Sequence, residues 1–242
     1  MISVIIPYTD GDSTRKRAFY GLMADVFSQT HMDYEVILVE ELFEKHSKVP
    51  FKFNNHIILR YEKPFNKSWC INVGVRQAKS NNCVILDADM QLPEDYLEMF
   101  DQFPKNKFCV GYRDILLQVG RDNPEPRKKN YKEVKTAGGA WYVDKEFFWS
   151  IGGMNESYFG YGAEDNDFYM RAKHILGVIH CLPVDLTHSY HHWHPKESNF
   201  PLNPDRVGIY NKMMKDLNQT IRLLKSKKLG DPKQPRSILN DF

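Results

Sequence analysis

The sequence predicts an α/β layer fold with a mixed, mostly parallel sheet flanked by helices. Short β-branched runs alternate with segments of helical period through the first half, which is the pattern of β-α-β units. The chain has 242 residues, 42% apolar. A chain of that length buries roughly 70–75% of the surface its unfolded form exposes, so one substantial core is expected. An acidic pair, Asp87 and Asp89, follows an apolar run directly. In parallel sheets ligands bind beyond the carboxyl ends of the strands.

The run Ile2–Tyr8 reads as the first strand. Residues 14–29 have helical period, with Ser13 or Thr14 as a cap. Tyr34–Val39 and His56–Tyr61 are the next strands. Residues 66–79 read as a helix and Cys83–Leu86 as a buried strand. A helix over 95–103 follows Pro93, and a strand over 108–112 follows that. The polar, Pro-containing stretch 113–136 reads as a surface excursion. Helices are expected over 144–151 and 163–176, stopped by Gly152 and Gly177. A last strand is expected over 177–183, then one basic helix near 206–227 and a loose tail.

Composition narrows the function. Lys and Arg number 33 against 31 Asp and Glu, a net charge of +2. That balance excludes a disordered polyion and shows no global signature of a nucleic-acid or membrane-surface binder. No apolar run approaches the ~18–20 residues that cross a bilayer. The run Ile2–Ile6 is too short for a secretory leader. Cys70, Cys83, Cys109 and Cys181 lie far apart without CxxC spacing and read as buried free thiols. A cytoplasmic location is the expectation.

Three motifs carry chemistry. In Asp87-Ala88-Asp89, two carboxylates at a strand end can hold a hard divalent cation or position a sugar hydroxyl; a solvated strand end is the plain alternative. His188, His191, His192 and His194 crowd seven residues. They read as a solvated loop, a zinc site, or, combined with a carboxylate, a Mn²⁺ site approached from a turn or helix start. Glu164, Asp165 and Asp167 open a helix after a glycine turn. They either complement the helix dipole or place a general base in a cleft.

Four segments together resemble the β-1,4-galactosyltransferase family: FNKSWCINVGVRQA (65–78), VILDADMQLP (84–93), TAGGAWYVDKEFFWSIGGMNESYFGYGAEDNDFYMR (136–171) and HHWHPKESNFPLNPDR (191–206). The third is the most specific. Chondroitin polymerases and polypeptide N-acetylgalactosaminyltransferases are more distant relatives. The resemblance implies a GT-A fold, Rossmann-like, and an inverting, metal-dependent transfer from a UDP-sugar to an acceptor hydroxyl. It implies a domain over 1–210, with a nucleotide-binding half (1–112) and an acceptor and metal half (136–210), then a basic helix and tail over 211–242.

The resemblance also implies roles. Asp89, His191 and His194 are the implied ligands of Mn²⁺ or Mg²⁺; His191 falls where vertebrate members carry methionine. Pro7, Thr9, Glu40, Phe65, Asn66, Lys67, Asp87, Asp89, Gly138 and Gly139 are the implied donor contacts. Asp165 is the implied base, with Glu164 beside it, and Tyr161 and Arg206 complete the acceptor side. The sequence departs from the family where Tyr161 replaces a tryptophan and Ala163 a glycine. A lid over 193–206 is also expected. The acceptor is expected to be a glycan, with a protein or a modified nucleic-acid base as alternatives. The basic stretch 212–236 suits phosphates or a solvated face. Two rival classes remain open: a metal hydrolase and a non-catalytic carbohydrate-binding protein.

Overall fold

A computed structural model describes residues 1–11, 13–42, 47–60, 64–102, 107–112, 114–118, 131–134, 137–160, 162–182, 188–192, 204–239 and 241. The main sheet contains β1 (Ile2–Thr9), β2 (Tyr34–Leu42), β3 (Asn55–Arg60), β4 (Asn82–Leu86), β6 (Phe108–Val110), β9 (Ala140–Asp144) and β10 (His180–Cys181). Its order is β10-β6-β9-β4-β1-β2-β3. β1 runs parallel to β2 and β4, and β2 parallel to β3. β9 alone opposes its neighbours, pairing antiparallel with β4 and β6. The β1 residues Ile2–Thr9 are all buried, as expected for a central strand covered on both faces.

Helices pack where the periodicity places them. α1 (Ser13–Phe27), α2 (Lys67–Gln77), α3 (Tyr96–Gln102), α4 (Lys145–Ser150) and α5 (Glu164–Leu176) each lie within a few residues of expectation. Ile5, Val39 and Ile85 share one core cluster with the α2 side chains Ile71 and Val75. The other sheet face buries Phe19, Leu22 and Met23 of α1 with Ile6 and Leu38. α2 approaches β1 closely at Gly74, where an added Cβ would lie 2.4 Å from Ile5 Cγ2. Gly74→Ala is therefore expected to destabilise by about 1–3 kcal/mol through overpacking, despite alanine's better helix propensity. A urea titration measures it, and an unchanged midpoint would contradict this packing.

Several expectations are corrected. The excursion contains two strands, β7 (Asp114–Gln118) and β8 (Tyr131–Val134). They join a second sheet of order β5-β11-β7-β8, with β5 at Met90–Gln91 and β11 at His188–His191. The histidine cluster thus begins on a strand, not on a turn or helix start. The strand expected over 177–183 is only the two residues of β10. Cys181 is exposed, because it lies on the edge strand; the other three cysteines are buried.

The basic C-terminal helix is two helices, α6 (Arg206–Met214) and α7 (Leu217–Ser226). Asp216 breaks it by capping α7, accepting from Gln219 N at 2.8 Å. The tail is docked. Leu229 and Ile238 are buried, and Trp69 Nε1 donates to Asp231 O at 2.6 Å. Buried Glu156 accepts from Asn72 Nδ2, Gly230 N and Arg236 N at 2.8, 2.6 and 2.5 Å. Among the described residues no helix is long and apolar enough to cross a membrane.

Candidate active site

The site forms at the carboxyl edge of β4, where the chain turns from Leu86 into Asp87. Asp87 N donates to Gly139 O at 2.7 Å, which ties this turn to the entry of β9. The first residue of α2, Lys67, reaches into the gap. Its Nζ lies 2.6 Å from Asp87 Oδ1 and 3.0 Å from Asp165 Oδ2. A cation at a helix N-terminus opposes the helix dipole; here two carboxylates compensate. Local rules broken in this way are a mark of functional sites.

α5 brings Asp165. Its buried face carries Phe168, stacked on Trp141 at 5.1 Å and set edge-on to Phe108 at 5.5 Å. Gly160 N donates to Phe65 O at 2.8 Å, clamping the preceding turn against the start of α2. Ala163 enters the helix with φ of +73°, the single non-glycine with positive φ among the described residues. Side chains adopt that conformation at a cost of about 1–2 kcal/mol. The strain sits at the residue that launches Glu164 and Asp165.

Gly138 has no room for a side chain: a Cβ there would meet Asp165 Oδ2 at 2.1 Å. Asp165 Oδ1 is buried and accepts no hydrogen bond among the described residues. Burial pushes the Asp165 carboxyl up to about 7; the charges of Glu164 and Asp87 add to the rise, and Lys67 opposes it. Glu164 is raised chiefly by burial, and its Oε2 accepts from Gly162 N at 3.1 Å. Burial alone would lower Lys67, but Asp165, Asp87 and Glu164 hold it well above its ordinary value. The result is a cation fixed between carboxylates, one of which, Asp165, titrates near neutrality.

Asp89 lies two residues beyond Asp87, in the turn between β4 and β5. Pairing of β11 with β5, His191 opposite Met90, brings His191 Nε2 to 3.3 Å from Asp89 Oδ2. His192 N donates to Asp89 O at 2.9 Å. Burial works against the His191 cation, but Asp89 outweighs it and raises the imidazole. A carboxylate oxygen and an imidazole nitrogen at one point form a donor pair suited to Mn²⁺ or a similar cation. Among the described residues no cluster of three or more such ligands occurs. His194, Tyr161 and the lid stretch 193–203 lie outside the described residues.

The remaining expected residues divide. Arg206 lies beside the cleft, its Cδ 2.8 Å from where a Gly162 Cβ would be. Asn66 is wholly buried and occupied: its Oδ1 caps α2 by accepting from Trp69 N, and its Nδ2 donates to Glu156 O, each at 2.9 Å. The expected nucleotide contact is therefore not available to its side chain as it stands. Glu40 is 1% exposed, with Oε2 2.8 Å from His56 Nε2. Pro7 and Thr9 are buried in β1, and Phe65 is buried at the foot of α2. Tyr112 was not anticipated. It is buried, and burial, then the charges of Asp165 and Asp87, push its phenol up.

This mixed, mostly parallel sheet flanked by helices is the fold of the GT-A glycosyltransferases. A Drosophila β-1,4-galactosyltransferase 7 mutant, solved with manganese, UDP-Gal and xylobiose, superposes with a TM-score of 0.54 at 14% identity, covering 85% of this chain and 78% of that one. S. aureus TarS in complex with UDP-GlcNAc gives 0.53 at 16% identity, covering 82% and 60%. These likenesses concern the fold. In sequence, a family model described as the N-terminal domain of galactosyltransferase matches residues 123–195. β-1,4-Galactosyltransferase 4 of Cricetulus griseus is 27% identical over 62% of this chain and 42% of its own length. Chondroitin sulfate N-acetylgalactosaminyltransferase 2 of Mus musculus is 22% identical over 91% of this chain and 45% of its own. The chain is β-1,4-galactosyltransferase-like, and it spans less than half the length of these two relatives.

Proposed function

We propose that the protein is an inverting, metal-dependent glycosyltransferase moving a hexose or N-acetylhexosamine from a UDP-sugar to a hydroxyl of a glycan acceptor. The observation that carries this reading is the Lys67 bridge between Asp87 and Asp165, with Asp165 Oδ1 buried and unengaged. The galactosyltransferase similarity and the sugar-nucleotide complexes of the fold neighbours support it.

In this mechanism Asp165 Oδ1 takes the proton of the attacking hydroxyl as that oxygen displaces UDP from the opposite face of the sugar. Lys67 fixes the carboxylate and faces the donor with positive charge. Gly138 leaves room for the base. Asp89 and His191, with His194 as the implied third ligand, would hold a divalent cation. That cation, when bound, offsets charge on the departing diphosphate. Glu164 and Arg206 border the acceptor.

Thermal unfolding with UDP, with Mn²⁺, with both, and with both plus EDTA tests the donor site. Stabilisation is expected only with the pair, about 2.7 kcal/mol at 100 times Kd. It should vanish in Asp89→Ala. No shift with any uridine nucleotide and metal would overturn the donor assignment.

A pH profile tests the base. Activity requires the ionised Asp165, so kcat/KM should rise with pH about a midpoint near 7. Lys67 holds that carboxyl down, so Lys67→Gln should move the limb to higher pH while also weakening donor binding. A limb that stays in place in Lys67→Gln would assign the titration elsewhere.

A further inference from the structure

We propose a second ligand site, for a sugar-sized molecule bearing a phosphate or sulfate group, in a cavity of about 290 Å³ remote from the cleft. It lies at the opposite end of α2 from Lys67. Arg76 is nine positions along the helix from Lys67, a rise of about 14 Å. The C-terminal ends of α2, α4 and α7 and the docked segment at Leu229 border it, and it opens to solvent. Its volume is at the low end of the ~300–1,000 Å³ of ligand pockets, which suits a substituted monosaccharide better than a nucleotide sugar.

The lining is cationic on an apolar base. Arg76, Lys225 and Lys227 line it with Trp149 and two leucines, and no Asp or Glu does. Arg76 is preorganised: its guanidinium lies 4.6 Å over the Trp149 ring, and its Nε donates to Leu229 O. Among the described residues its Nη atoms have no hydrogen bond, and a planar guanidinium suits an oxyanion. Lys225 is exposed and has no ion pair among the described residues. Lys227 is balanced by Asp241 at 2.9 Å. The nearby carboxylate Glu156 is satisfied by Asn72, Gly230 and Arg236. The Nη edge of Arg76, whose charge also acts on Glu156, the exposed Lys225 and an aromatic wall therefore face one concavity. Docking of the tail creates it, since Leu229 supplies both a wall and the carbonyl that aims Arg76.

Isothermal titration of the full chain with glucose-6-phosphate, galactose-6-sulfate, neutral glucose and duplex DNA tests the site. Saturable, salt-sensitive binding of at least one charged sugar and none of glucose is expected, and the tighter of the two identifies the anion. Lys225→Gln and Arg76→Gln should each weaken it about 10-fold or more. Stabilisation by UDP with Mn²⁺ should be unchanged in Lys225→Gln, so this test succeeds or fails apart from the transferase reading. If Arg76→Gln fails to fold, the exposed Lys225→Gln decides. Absence of charged-sugar binding at millimolar concentration, or binding indifferent to Lys225→Gln, overturns the proposal. So does DNA binding lost in Lys225→Gln when the sugars are inert, which reassigns the surface to nucleic acid.

Discussion

Asp165→Asn is expected to lower kcat by about 10²–10⁴ while leaving donor affinity nearly intact. The amide keeps the shape of the carboxylate and can still accept from Lys67, whose Nζ lies 3.0 Å away. It cannot take the proton of an attacking hydroxyl. The stability effect should run the other way or vanish. Asp165 shares a small space with Asp87 and Glu164 against one lysine, and burial already pushes it up to about 7. Replacing it with a neutral group removes like-charge repulsion and desolvation cost. Steady-state kinetics with a UDP-sugar, beside a melting curve, separates the two effects. Full turnover in Asp165→Asn would sink the assignment of the base. A large loss of melting temperature with the loss of turnover would reduce the residue to a structural role.

Asp167→Ala should be the most destabilising single change described here. Asp167 and Arg171 are both fully buried, with Arg171 Nε 2.5 Å from Asp167 Oδ1. Asn155 Nδ2 donates to Asp167 Oδ2 at 2.9 Å, and Arg171 Nη1 donates to Ile151 O and Gly153 O at 2.7 and 2.8 Å. Deleting the carboxylate leaves a buried guanidinium without its counter-ion. Such a loss costs about 3–5 kcal/mol, or roughly 6–20 °C in a chain of this size. Replacing both partners by Leu and Met should recover much of it, because the desolvation penalty then disappears from both sides. A change under about 1 kcal/mol in Asp167→Ala would mean that the pair is hydrated. The pair also anchors α5 to the 151–153 turn, so the single mutant should lose activity by displacing Asp165.

Much of this was legible in the residues. Strands β1, β2 and β4 announce themselves as β-branched runs, and α2 and α5 by period. The boundaries of α1 to α5 lie within a few residues of expectation, because caps and stops are local chemistry, whereas the helix expected near 206–227 is broken at Asp216. The 113–136 stretch was not legible as containing strands. Its polar composition resembles a loop, and β7 and β8 exist through pairing with each other and with β11. The tail reads as loose for a related reason. Leu229 is a lone apolar residue in a basic stretch and Ile238-Leu239 a short apolar pair after it, and only the cluster they pack into marks them as core. The site divides in the same way. Motif spacing pointed to Asp87, Asp89, Glu164, Asp165 and His191, and these surround the β4 edge. The bridge from Lys67 to Asp165 spans 98 positions and has no local signature. Nor does the enclosure of Asn66 and Glu40, which commits side chains expected in the cleft to structural bonds.

The sequence alone determined the alternation of elements, the place of the carboxylate turn and the resemblance to galactosyltransferases, because periodicity, capping and motif spacing are written within a few neighbouring residues. Only the tertiary structure decided that Lys67 bridges Asp87 and Asp165, how far burial raises Asp165, and that the docked tail shapes a cationic concavity away from the site. Those depend on desolvation and on charges brought together from distant parts of the chain, and both quantities come into being only when the chain packs.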